Sequence, residues 1–311
     1  MGRYLLNRLL LMIPVILITS FLIYSAMNMT GGDPVLALAP DNASEAQIEM
    51  IREELGLNDP FVIRYFKYMG GMLKGDLGTS YVTKKDVFQA YIQRLPATME
   101  LACASVFVSM LIAIPLGIYT AIRQNTWKDN LGMVFALFGV SMPNFWLGLM
   151  LMLLFSLKLG WLPSSGRNGP LSLILPAVTV GMGLAALITR TTRSSMLDVL
   201  RQDYMRTARA KGADEKRVIL RHGLKNALIP IITVVGMQLS NVLTGSVLAE
   251  TVFAWPGVGR LIFDSISKRD TPMVTGAIIM SCVLMSIVNV LVDVVYAFFD
   301  PRIKAQYIKK R

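Results

Sequence analysis

The sequence has 311 residues, 54% of them hydrophobic and only 16% charged, with a mean hydropathy of +0.53. Soluble domains carry about 25% charged residues, and here the charges cluster between long uncharged stretches, which excludes an ordinary soluble domain and indicates bilayer spans joined by loops. The net charge of +11 sits in particular loops, as the positive-inside rule requires, and this distribution argues against nucleic acid as a partner.

Arg3 and Arg8 precede an uncharged run from Leu9 to Gly32. A cleavable leader has an apolar stretch of about 7–15 residues and a small-residue cleavage site, so this longer run reads as a retained first helix. Crossing a hydrocarbon core takes about 20 apolar residues. Spans are predicted at Leu9–Asn28, Leu101–Ile122, Leu131–Leu157, Leu171–Thr189, Ala227–Ala249 and Met273–Phe299. The fold class expected is therefore an all-α integral membrane protein with about six transmembrane helices. Pro14, Pro115, Pro143, Pro176 and Pro230 lie in or beside spans. Neighbouring helices must satisfy the carbonyls they free, which indicates a packed bundle.

The connection between the first two spans has helical punctuation. Ser44-x-x-Gln47 has the form of a capping box, Ile48, Ile51 and Leu55 share a face, and Gly56 supplies a stop. Asp59-Pro60 reads as a cap and first helical residue, followed by an apolar stripe of Phe61, Val62, Tyr65, Phe66 and Met69 that ends at Gly70-Gly71. Asp86 is placed to cap a third short helix through Leu95. The organisation expected is a helix at 1–30, an extracytoplasmic helical subdomain at 31–96, a core of five spans at 97–299 and a basic tail at 300–311.

Between the fourth and fifth spans, 190–225 holds ten basic residues, from Arg190 to Lys225, against Asp198, Asp203, Asp214 and Glu215. That excess predicts a cytoplasmic loop, and with six spans both termini are cytoplasmic too. Within it, Tyr204–Lys211 suits one short helix, Gly212 a left-handed stop, and Asp214 the cap of a second helix leading through Leu220, Leu224, Ala227 and Leu228 into the next span. Small Ala208 and Ala210 allow a partner to approach closely, and the interleaved arginines suit its carboxylates.

No G-x-x-x-x-G-K-[ST] loop, H-E-x-x-H, G-x-S-x-G or Cys/His metal spacing occurs, so nucleotide hydrolysis falls to another chain, with no cofactor or metal bound here. Asp293 is an ionisable group within the last span and a functional candidate by that fact, with a snorkelling or Arg302-paired structural role as the alternative. Trp255, Pro256 and Gly257, within AWPGVG, suit an irregular outer gate, or for Trp255 an interface anchor. Cys103, Cys282 and the methionines read as packing residues.

RTARAKG at 206–212 followed by HGLKNALIP at 222–230 resembles the cytoplasmic "EAA" loop of binding-protein-dependent ABC importer permeases, in detail the dipeptide/oligopeptide/nickel subfamily. Arg206, Thr207 and Ala208 stand where the generic pattern has Glu-Ala-Ala, and Pro230 comes later than its usual proline, departures that this subfamily shares. The resemblance continues through GDPV at 32–35, LGLNDP at 55–60, GDLG at 75–78 and RLPATMEL at 94–101. SMPNFWLG at 141–148, RSSMLDVL at 193–200, ETVFAWPGVGRL at 250–261 and DPRI at 300–303 complete it. It implies a type I permease fold in a bacterial-type cytoplasmic membrane. The implied partners are a homologous second permease, two ATPase subunits and an extracytoplasmic binding protein. It also implies that Arg206, Thr207, Ala208, Arg209, Ala210, Lys211 and Gly212 couple the pore to the ATPase. The cargo expected is a di- or oligopeptide, with nickel or another small solute such as glutathione or an opine-like compound as the alternative. A self-sufficient channel or secondary transporter, and an intramembrane hydrolase, are the readings from other classes. Neither inverted repeats, paired intramembrane charges nor a hydrolytic constellation supports them.

Overall fold

Within a bilayer, backbone polar groups find no water and must pair inside their own segment, so apolar runs fold as helices. In the computed structural model the first run is α1, Gly2–Met29. The structure describes residues 2–29, 35, 39, 42–243 and 246–299, apart from the side chains of 2–9, 293 and 295–299. Two short helices follow, α2 at Glu45–Glu54 and α3 at Phe61–Leu73. The capping box at Ser44 is present, with the Gln47 N–H bonded to Ser44 Oγ at 3.3 Å and the Ser44 N–H to Gln47 Oε1 at 2.9 Å. Gly56, at φ +63°, stops the helix as expected. Asp59 does not cap α3; it pairs with Lys67, and the helix starts at Phe61 and runs past Gly70-Gly71 to Leu73.

The segment Asp86–Leu95 and the second span form one helix, α4, Val87–Ile122, opened by the Asp86 carboxylate accepting the Gln89 N–H at 2.8 Å. Pro96 does not break it, because Tyr91 and Ala97 are buried on either side and the Thr98 hydroxyl accepts the Val258 N–H at 2.8 Å. The third run is two helices rather than one: α5, Trp127–Ser141, and α6, Asn144–Leu151, the second continuing as a π-helical stretch at Met152–Lys158. They meet at a 98° bend. Pro143 is the cause, since the residue before a proline avoids the helical region, and Met142 is extended at φ −90°, ψ 134°.

The fourth run becomes α7, Ile174–Leu200, reaching well beyond Thr189, and it is followed by α8, Asp203–Ala210. The fifth is α9, Lys225–Leu243, with Val247–Val252 a separate short helix α10. Then come α11, Val258–Ser267, and α12, Thr271–Phe299. Among the described residues five helices are long and apolar enough to cross a membrane, or six if the bent pair counts as one span.

The chain divides into two compact units, one joining residues up to Thr98 with Pro256–Ser286, the other joining Met99–Trp255 with residues from Ile287 on. In the first, α3 lies against α1 through aromatic rings, Tyr24 stacked on Tyr68 at 5.7 Å and Phe21 edge-on to Tyr65 at 5.5 Å. In the second, α7 is the central helix, with over half of its apolar window buried. Ile188 and Met196 of α7 pack with Ala113, Ala227 and Ile231 in one core. Small residues let these helices approach closely. A methyl on Gly117 would lie 2.6 Å from Thr192 Cβ, and one on Gly181 would lie 2.8 Å from the Ser105 carbonyl oxygen.

Candidate coupling loop

The sequence between α7 and α9 folds into a short helix, a sharp turn and a returning helix, all within the second unit. α8 ends in two bonds that close a left-handed turn: Gly212 N–H to the Arg209 carbonyl at 2.9 Å, and Ala213 N–H to the Ala208 carbonyl at 3.3 Å. This is a Schellman closure, and it requires a residue with positive φ at its first position past the cap. Gly212 supplies it at φ +75°. Asp214 takes the N-cap position of the next turn, Glu215–Arg217, but without a side-chain bond. A π-helical stretch at Val218–Leu224 then leads into α9.

One side chain anchors α8. Met205 is fully buried, and Gly223 of the returning helix leaves it room, since a methyl there would lie 3.4 Å from Met205 Cε and 3.3 Å from Met196 Cε. A second tie crosses the turn. Arg209 donates to Glu215 through Nη2 at 2.8 Å and Nε at 3.0 Å. A cleft of about 250 Å³ lies beside this pair, with Gln124 and Arg201 on its wall.

Of the predicted coupling residues, Arg206 projects with 78% of its side chain exposed, 3.8 Å from Asp203. The Thr207 hydroxyl donates to the Asp203 carbonyl at 3.1 Å. Ala208 is half-buried, whereas Ala210, Lys211 and Gly212 are exposed. Arg206 through Gly212 thus form a short knob, anchored by Met205 at one end and tied by Arg209–Glu215 across the turn, whose outer surface is basic. It carries three cationic side chains, Arg206, Arg209 and Lys211, and no carboxylate of its own. Sequence reading missed Glu215 as Arg209's partner, because the pairing exists only once Gly212 reverses the chain.

The other candidates lie elsewhere. Trp255 is fully buried, with the Arg167 guanidinium 6.0 Å from its ring centre, rather than standing at an interface. Pro256 and Gly257 belong to the first unit, where extended Gly257 precedes α11. Asp293 is in α12, but its side chain lies outside the described residues. Among the described residues no group of three or more His, Cys, Asp or Glu side chains is placed to hold a metal ion.

Residues 113–305 match the family described as "Binding-protein-dependent transport system inner membrane component", and residues 1–102 match its N-terminal companion. The chain is 42% identical over 304 residues to the glutathione transport system permease protein GsiC of Pectobacterium atrosepticum, covering 98% of this chain and 99% of that one. It is 41% identical over 332 residues to the dipeptide transport system permease protein DppB of Alkalihalophilus pseudofirmus, covering 98% and 100%. Among solved structures, an inward-facing form of the MetNI methionine ABC transporter superposes with a TM-score of 0.58 at 16% identity, over 68% of this chain and 97% of the other. That likeness concerns the fold.

Proposed function

This chain belongs to the family of binding-protein-dependent transport system inner membrane components, and from that premise we propose that it passes short peptides across the membrane as one half of an importer's pore. It is a multi-pass permease subunit of the peptide-type ABC importers, not an enzyme. The observation that carries the peptide reading is end-to-end similarity to permeases named for a dipeptide and for glutathione, both short peptides. No observation favours nickel.

The partners in this reading are a homologous second permease, two ATPase subunits and an extracytoplasmic binding protein. Residues 206–212 form the contact with an ATPase subunit, and what supports this is the exposed, basic, doubly tied knob that they make. ATP-driven closure of the ATPase pair would carry the knob with it and switch the bundle between inward- and outward-open packings. Residues 31–96 form an extracytoplasmic subdomain, 97–299 the pore core, 190–225 the cytoplasmic loop and 300–311 a basic tail, with both termini cytoplasmic. Trp255, Pro256, Gly257 and Asp293 remain candidates for gating.

Uptake of a labelled dipeptide by cells with and without this chain, before and after ATP depletion, tests the proposal. Uptake that needs both the chain and ATP is the expected result. Uptake unchanged by loss of the chain, in cells with no second peptide system, would overturn the peptide assignment.

A further inference from the structure

Inside the second unit, α5, α6, α7 and α9 leave an open cavity of about 280 Å³. It lies at mid-depth, because Val180, Gly183 and Leu184 on its wall fall near the middle of the apolar run 171–189. Three neutral polar side chains also line it: Asn144 at the start of α6, Asn241 near the end of α9 and Ser246 just before α10. Among the described residues the rest of the lining is apolar, with no charged group. Two close approaches put Asn144 there. A methyl on Gly139 would lie 2.9 Å from the Met182 carbonyl oxygen, so the end of α5 lies close on α7. One on Gly183 would lie 2.9 Å from Asn144 Oδ1, so the amide sits directly against α7.

The same packing places the break between α5 and α6 at mid-depth, where Met142 is half-buried and Pro143 exposed. Irregular backbone at that depth is tolerated only where protein buries it or water reaches it. Amides turned to hydrocarbon are costly as well, and Asn144 and Asn241 are both exposed on this chain. Asn241 donates to Gln238 Oε1 at 3.3 Å, a bond that orients its amide. A sealed contact between membrane helices fills its space with small or apolar groups. An open cavity with three neutral polar groups suits a wet path instead. A side-chain amide both donates and accepts, so an Asn can pair with the C=O or the N–H of a peptide unit. Without a carboxylate, imidazole or thiolate in its lining, the cavity offers a metal ion no strong ligand.

We propose that this cavity is a stepping point of the transport path, where Asn144 and Asn241 hydrogen-bond the main-chain amide of the passing peptide. The inference rests on the peptide reading above and adds the group recognised, which is the peptide unit and not the cargo's side chains.

The test uses the transporter assembled with its partner subunits in proteoliposomes, driven by ATP. The probes are labelled dialanine and its ester analogue, in which oxygen replaces the peptide N–H. Asn144→Leu and Asn241→Leu should each lower the maximal uptake rate of dialanine about three- to tenfold with KM unchanged, because the peptide unit then crosses mid-membrane short of a hydrogen bond. The native transporter should carry the ester more slowly than dialanine, and Asn144→Leu should shrink that difference. Asn144→Cys supplies a second measurement that stands if Asn144→Leu fails to fold. The introduced thiol should react with a water-soluble thiol reagent above the background of Cys103 and Cys282. No dialanine uptake by the native transporter would overturn the peptide reading, and this contact with it. Native uptake that both leucine variants match would overturn the contact alone. An introduced thiol that stays unlabelled would do the same. So would loss of the second permease from the Asn144→Leu complex, which would assign the cavity to subunit packing.

Discussion

Arg193 holds Asp129 through two parallel hydrogen bonds, Nε to Oδ1 at 2.8 Å and Nη2 to Oδ2 at 2.7 Å. The same carboxylate accepts the Asn125 N–H at 3.1 Å, so it joins the turn before α5 to the long helix α7. The Asp129 side chain is 3% exposed and that of Arg193 24%. The pair therefore ties the turn before α5 to the part of α7 that runs on to Leu200, after which the chain enters α8 and the knob.

Asp129→Asn should be strongly destabilising, because it leaves a mostly buried guanidinium facing a neutral amide. Breaking a fully buried pair costs about 3–5 kcal/mol, and partial exposure of Arg193 brings the expected loss to about 2–4 kcal/mol. Arg193→Lys keeps the charge but loses the fork, and should fall between that variant and the native chain. Thermal unfolding of the purified chain checks the order. An Asp129→Asn protein as stable as the native one would remove the pair from any account of the fold.

At Gly212 a side chain would meet nothing within 4 Å, so the cost of substitution is one of backbone conformation alone. A left-handed position costs an ordinary L-residue about 1–2 kcal/mol, Asn less, and a β-branched residue more. Pro cannot adopt it at all. ATP-driven uptake should therefore fall in the order Gly212→Asn, Gly212→Val, Gly212→Pro, while membrane insertion is retained. Equal uptake by the Asn and Pro variants would sink the idea that the turn transmits motion.

Arg209 and Glu215 allow fold and function to be separated. Their side chains are 39% and 56% exposed, and exposed pairs contribute about 0–1 kcal/mol. Glu215→Gln should leave the unfolding temperature almost unchanged. If the knob must be rigid, the same variant should lower peptide-stimulated ATP hydrolysis in the assembled transporter several-fold. Hydrolysis at the native level would mean that the pair only decorates the surface.

The parts legible in the sequence were those with local causes. The Ser44–Gln47 box and the stop at Gly56 follow from adjacent residues, and the Gly212 turn needs only a glycine after an eight-residue helical pattern. Hydropathy located the apolar runs but could not say where they bend or join. Pro96 and Pro143 look alike in sequence; tertiary packing keeps the first inside a continuous helix, while Met142 turns extended before the second. The Asp129–Arg193 and Arg209–Glu215 pairs were not legible, because each needs a chain reversal first.

Close packing of α4 and α5 supplies a test in which two losses should cancel. A methyl on Gly132 would come within 2.5 Å of Thr120 Cγ2, while its next contact, with Leu116 Cδ1, is an acceptable 3.4 Å. Thr120 is fully buried, and its hydroxyl donates to the Gly117 carbonyl at 3.0 Å. Gly132→Ala alone overpacks the contact and should cost about 1–3 kcal/mol. Thr120→Ser removes only the offending methyl and keeps the hydroxyl, so alone it leaves a small void and costs about 1 kcal/mol. Combined, the new methyl fills the space that the old one vacated, and the double variant should be more stable than Gly132→Ala alone. Thermal unfolding of the four proteins gives the coupling directly. Additive losses would mean that the helices shift to admit the methyl and that the contact does not set their spacing.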